Sequence, residues 1–128
     1  MKRVLVVDDE AHVIRVLQLS FERAGYRVDT ARNGEEALRR ICESEPDAML
    51  ADIQMPRMDG RELCRRIQEV LPSRGFPILV MTSSVEAEHR EWVASMPGVE
   101  FVEKPLSVRK ILERVGALVG GAPPENEA

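Results

Sequence analysis

The sequence predicts an α/β fold in which a parallel five-stranded sheet carries helices on both faces. Three observations lead there. The apolar runs VLVV (residues 4–7), AMLA (48–51) and PILVM (77–81) are continuous rather than alternating, the pattern of strands covered on both sides. Between them lie segments whose apolar residues recur at helical spacing. Strand-like and helix-like segments alternate five times without an internal repeat, which implies successive βα units and a parallel sheet.

The first strand, residues 4–7, runs directly into Asp8 and Asp9. The first helix spans residues 10–24, with Val13, Val16, Leu17, Phe21 and Ala24 on one stripe, and Gly25 stops it. Residues 26–31 (YRVDTA) alternate as a shorter, more exposed strand does. Asn33 and Glu36 have the spacing of a capping box for a helix to about residue 42. The third strand, residues 48–51, ends on Asp52, and a helix over residues 60–70 follows, capped by Asp59 with Glu62 three residues on. The fourth strand, residues 77–81, leads to Thr82 and Ser83. A polar helix over residues 85–96 carries Trp92, the single tryptophan, for which a partly exposed place on a partner surface is one open reading. A short fifth strand, residues 99–102, precedes Lys104-Pro105. The last helix, residues 107–119, gathers Val108, Ile111, Leu112, Val115, Leu118 and Val119 on one face. Right-handed crossovers leave few topologies, of which the flavodoxin-like doubly wound order 2-1-3-4-5 is common for five strands. One domain is therefore expected over residues 1–119, with residues 120–128 (GGAPPENEA) as a flexible tail or truncated linker.

Composition narrows the function classes. The chain has 128 residues, 44% hydrophobic and 31% charged, enough for one full core without staples. A net charge of −4 with no long basic run gives no nucleic-acid footprint. The opening apolar run is broken at once by two aspartates, too short for a signal peptide or membrane span, so a cytoplasmic chain is expected. Cys42 and Cys64 lack metal-ligand spacing and read as small apolar helix residues in a reducing compartment. His12 and His89 read as exposed helix residues without a role.

Open α/β sheets bind ligands beyond the carboxyl ends of their strands. In the order 2-1-3-4-5, four contiguous strands place Asp8 and Asp9, Asp52, Thr82, and Lys104 at that end. Three neighbouring carboxylates repel and raise one another's pKa, so they call for a cation. Oxygen ligands with open water positions favour Mg²⁺ over Ca²⁺. A lysine and a hydroxyl across the site suit phosphoryl oxygens, and a carboxylate can act as nucleophile to form an aspartyl phosphate. Asp52, between the acidic pair and the Thr82/Lys104 pair, is the central candidate.

The set VVDDE, DIQMPRMDG, MTS and EKP resembles the receiver domain of two-component response regulators, the chemotaxis regulators included. The likeness covers residues 2 to about 119. Its specificity lies in the spacing: 43 residues from Asp9 to Asp52, 30 from Asp52 to Thr82 and 22 from Thr82 to Lys104. The resemblance implies that Asp52 is the phosphoacceptor for a sensor histidine kinase or phosphotransfer protein. It implies that Asp9 binds Mg²⁺ directly, that Asp8 acts largely through water, and that the Gln54 carbonyl is a further ligand. Lys104, on a cis Lys104-Pro105 peptide, would bind a phosphoryl oxygen. Thr82 would shift toward the phosphoryl group, and Phe101 would turn inward as the aromatic switch. The output would be the helix 4–strand 5–helix 5 face, with Arg109 and Lys110, contacting an unknown downstream protein or a second copy of the chain. Such a protein is a signalling phosphoacceptor that promotes its own phosphorylation and dephosphorylation, rather than an enzyme acting on a separate substrate. No direct contact with nucleic acid or membrane is expected.

Plainer readings compete. Asp8 and Asp9 could cap the first helix, Asp52 could be a turn residue before Met55-Pro56, and Thr82, Lys104 and Phe101 could be an ordinary hydroxyl, surface lysine and core aromatic. Asp59 is read as a cap. Two other functions fit the same residues: a Mg²⁺-dependent phosphatase or phosphotransferase for small molecules, which usually needs a lid, and a receiver-like binding module that is not phosphorylated. The sequence departs from the family pattern at Phe101, where tyrosine is frequent, and at Ser83, Leu106 and Pro97-Gly98. None of these removes a reacting group. Gln54 and Ser84 stand where the family tunes the lifetime of the aspartyl phosphate.

Overall fold

The computed structural model describes residues 1–83 and 87–120. The elements are β1 (Arg3–Val7), α1 (Ala11–Arg23), β2 (Arg27–Ala31), α2 (Gly34–Glu43), β3 (Ala48–Asp52), α3 (Gly60–Val70), β4 (Ile78–Thr82), α4 (Ala87–Ala94), β5 (Val99–Glu103) and α5 (Val108–Val119). All strand pairs are parallel, in the expected order β2-β1-β3-β4-β5. The continuous apolar runs are the central strands: every residue of β3 and β4 is buried. The edge strand β2 is only half-buried until Ala31, which is why its sequence alternates.

The two-residue period of a strand divides the core into two layers. Leu5, Val7, Met49, Ala51, Ile78, Val80 and Val99 face α2, α3 and α4, meeting Ile41, Leu63, Ile67 and Trp92. Val4, Val6, Ala48, Leu50, Leu79 and Met81 face α1 and α5, meeting Leu17, Phe21, Ile111 and Val115. Phe21 and Tyr26 pack edge to face at 5.3 Å, closing the turn between α1 and β2.

Helix starts follow local chemistry. Asn33 Oδ1 accepts from the Glu36 N–H at 2.8 Å, and Asp59 Oδ1 accepts from the Glu62 N–H at 2.8 Å. The capping box expected at α2 is displaced: the Glu36 carboxylate accepts from the Arg32 N–H at 2.9 Å instead of from Asn33. Glu10 is the N-cap of α1 and makes no side-chain cap hydrogen bond, so neither Asp8 nor Asp9 occupies that cap. Gly25, with φ 96°, supplies the left-handed residue just after α1.

Two expectations are corrected. Trp92 is not partly exposed but 5% accessible, because α4 turns it onto the sheet against Phe101; it cannot be a surface anchor in this conformation. Cys64 is buried on α3, and burial pushes its thiol up to about 12, but Cys42 lies exposed on α2. The described part of α4 ends at Ala94, short of residue 96. The expected start at Val85, together with Ser84 and the tail 121–128, lies outside the described residues.

Candidate functional site

The carboxyl edge of the sheet is built by main-chain contacts that continue the ladders past the last apolar residues. The Asp8 N–H donates to the Ala31 carbonyl at 3.1 Å, holding Asp8 in line with β1. The Ile53 N–H donates to the Met81 carbonyl at 2.9 Å, so Asp52 remains in register beside Met81 at the end of β3. The Lys104 N–H donates to the Thr82 carbonyl at 2.7 Å, joining the end of β5 to the end of β4. The Lys104-Pro105 peptide is cis.

These contacts bring together residues far apart in the chain. Carboxylate oxygens of Asp8, Asp9 and Asp52 all lie within 4.8 Å of one another. Lys104 Nζ is 2.9 Å from Asp52 Oδ1, a charge-assisted bond across 52 residues of sequence. Asp8 and Asp52 are buried while Asp9 is exposed, so the cluster opens to water on the Asp9 side. Thr82 is also buried, at the end of β4. Gln54 is exposed in the loop beyond Asp52. Phe101 lies apart from the acids, mid-strand in β5 opposite Val80, half-buried, with its ring edge to face with Trp92 at 6.3 Å and 80°.

The electrostatics follow from burial. Asp8 is pushed up to about 6, chiefly by desolvation, with the charges of Asp52 and Asp9 adding and the Glu10 N–H and Lys104 opposing. Burial works against the Lys104 ammonium, but the hydrogen bond and charge of Asp52, with Asp8 and Glu10, outweigh it and raise its pKa. One oxygen of Asp8 accepts from the Glu10 N–H at 2.9 Å; the other, Oδ2, is buried and has no hydrogen-bond partner among the described residues. A buried carboxylate oxygen left without a donor beside two further carboxylates fits a hard cation bound by oxygen ligands. The acidic pocket thus has the composition and spacing to hold a metal ion.

Gly60 was legible only as a helix start, yet it shapes the site. A Cβ there would stand 2.8 Å from the Asp52 carbonyl oxygen and 2.8 Å from Ile53 Cα, and the Gly60 N–H donates to the Ile53 carbonyl at 2.8 Å. The first turn of α3 therefore rests on the backbone that presents Asp52, and the Asp-Gly pair was the available signal. Arg57, at φ 68°, takes the left-handed turn of the same loop, where a side chain is disfavoured. Nothing in the sequence marked it. Nor did the sequence show that Trp92 packs on Phe101, or that the Arg61 guanidinium lies 6.0 Å from the Trp92 ring centre.

Comparison with known proteins places this arrangement. The family model for the response regulator receiver domain matches residues 4–116. The transcriptional regulatory protein ResD of Bacillus subtilis is 38% identical over 117 residues, 91% of this chain and 48% of its own. The alkaline phosphatase synthesis transcriptional regulatory protein PhoP of the same organism is 36% identical over 118 residues, 92% of this chain and 48% of its own. The chain spans about half the length of the curated relatives it matches. Among solved structures, the Vibrio cholerae chemotaxis protein CheY4 superposes with a TM-score of 0.84 at 26% identity, covering 92% of this chain and 98% of that one. A CheY-like receiver domain protein of Methanospirillum hungatei gives 0.85 at 26% identity, covering 94% of each. The match runs from the first strand into the last helix and takes in every strand end that carries an acid or the lysine: the chain belongs to the response regulator receiver domains of two-component signalling.

Proposed function

We propose that this receiver is switched by phosphorylation of Asp52, with a phosphohistidine on a sensor histidine kinase or phosphotransfer protein as donor. The observation that carries the reading is the position of Asp52, a buried carboxylate held by Lys104 at 2.9 Å and flanked by Asp8 and Asp9. Asp8, Asp9, Asp52 and the main-chain carbonyl of Gln54 would hold Mg²⁺, which when bound supplies positive charge against the phosphoryl oxygens. In the transfer a carboxylate oxygen of Asp52 forms the new O–P bond as the N–P bond of the phosphohistidine breaks. The electron pair of that bond returns to the imidazole, which takes up a proton. Lys104 turns from the carboxylate to a non-bridging phosphoryl oxygen, a short move because its backbone is pinned to Thr82. The Thr82 hydroxyl then donates to the same group. Phe101, on the neighbouring strand, follows Thr82 and remodels the α4–β5–α5 face, which contacts the downstream partner.

The sheet acts as a rigid mount for this chemistry, since β3 and β4 are buried throughout. Acetyl phosphate with Mg²⁺ is expected to label the parent protein, while Asp52→Asn falls to background and chelation of divalent ions stops labelling. Equal labelling of Asp52→Asn would show that another group is the nucleophile. Repeated turnover of a small phosphomonoester would favour a phosphatase instead.

A further inference from the structure

Arg61 has no part in the chemistry above, yet it stands between the Asp52 loop and the Trp92–Phe101 pair. It follows Gly60, where a Cβ would stand 2.8 Å from the Asp52 carbonyl oxygen and whose N–H donates to the Ile53 carbonyl at 2.8 Å. Its guanidinium lies 6.0 Å from the Trp92 ring centre, at the range of a cation–π contact. Trp92 in turn is buried, with its ring edge to face with Phe101 at 6.3 Å. These contacts form a continuous path from the main chain of Asp52 through the first turn of α3 to α4 and β5. It bypasses Thr82.

We propose that Arg61 is a positioning residue that couples the Asp52 loop to the Trp92–Phe101 pair, so that phosphorylation moves the two rings together rather than Phe101 alone. The inference rests on Asp52 being the phosphoacceptor. Phe101 cannot turn inward and keep its edge-to-face contact with a buried Trp92 unless the indole follows. A shift of the Ile53–Asp59 loop is passed to Arg61 because the Gly60 N–H is bound to the Ile53 carbonyl at 2.8 Å and the space beside Gly60 is too small for even a Cβ. The cation on the indole then biases which ring arrangement is held.

Trp92 is the single tryptophan, so its emission reports the pair directly. Acetyl phosphate and Mg²⁺ are added to the parent, Arg61→Ala and Arg61→Lys, and two readouts are taken from each sample: acyl phosphate by intact mass, and Trp92 emission. The parent is expected to gain the acyl phosphate and change its emission. Arg61→Ala should gain the acyl phosphate to a similar extent, with the emission change reduced to less than about half, and Arg61→Lys, which keeps the cation, should recover most of it. A full-sized emission change in phosphorylated Arg61→Ala overturns the proposal. So does an unchanged emission in a parent that carries the acyl phosphate. Absence of acyl phosphate from the parent overturns the Asp52 reading and this inference with it, and the mass readout distinguishes that failure from the other two.

Discussion

Asp8 is placed to tie stability to the binding of a cation. Its carboxyl titrates near 6 in the fold against 3.8 in its ordinary state, because burial disfavours the charge. Between those values the folded chain keeps a proton that the unfolded chain has released. Without divalent ions, its contribution therefore favours folding below about pH 4 and is lost as pH rises through 6, by about 3 kcal/mol in all. A cation binding the charged form reverses the loss. Urea unfolding between pH 4 and pH 7 should show this fall in the parent, less of it with Mg²⁺, and least in Asp8→Asn. Apparent Mg²⁺ affinity should rise with pH through the same window. Gly60 makes a different prediction, from space rather than charge. Gly60→Ala meets main-chain atoms that cannot step aside as a side chain tip does, and is expected to cost about 1–3 kcal/mol by denaturant unfolding and to slow labelling of Asp52.

At the scale of elements, what was legible followed from local rules. Residues 60–70 were readable as a helix because Asp59 can accept from the Glu62 N–H and because Leu63, Cys64 and Ile67 fall on one buried face. Strand ends were less visible: Asp52, Thr82 and Glu103 extend β3, β4 and β5 beyond the apolar runs, because pairing with neighbours and not hydrophobicity decides where a ladder stops. The same limit explains Trp92. Helix 4 is weakly patterned, so its residues do not mark which side meets the sheet, and the burial of Trp92 is decided by packing against Phe101. Asp59→Ala should lower stability by about 1 kcal/mol through loss of the α3 cap while leaving Asp52 labelling intact. Loss of labelling there with stability unchanged would give Asp59 a chemical role instead of a structural one.

At the scale of the whole molecule, topology makes the site. Asp8, Asp52 and Lys104 are scattered over nearly a hundred residues and meet only because β1, β3, β4 and β5 are adjacent and parallel. That convergence was readable from the strand order, since every strand but β2 ends in a polar group. The packing that supports it was not: the Gly60–Asp52 contact and the left-handed Arg57 depend on how a loop folds back in space. Among the described residues no helix is long and apolar enough to cross a membrane, in keeping with a sheet buried between two helical layers. On the proposed reading, one carboxylate of this convergent set, Asp52, receives the phosphoryl group. Borohydride reduction of the acetyl phosphate-treated protein, followed by peptide mass mapping, converts the phosphorylated aspartate to homoserine and reads its position. Homoserine at position 52 alone is expected; homoserine at position 8, 9 or 59, or none in a protein that has taken up phosphate, would show that Asp52 is not the phosphoacceptor.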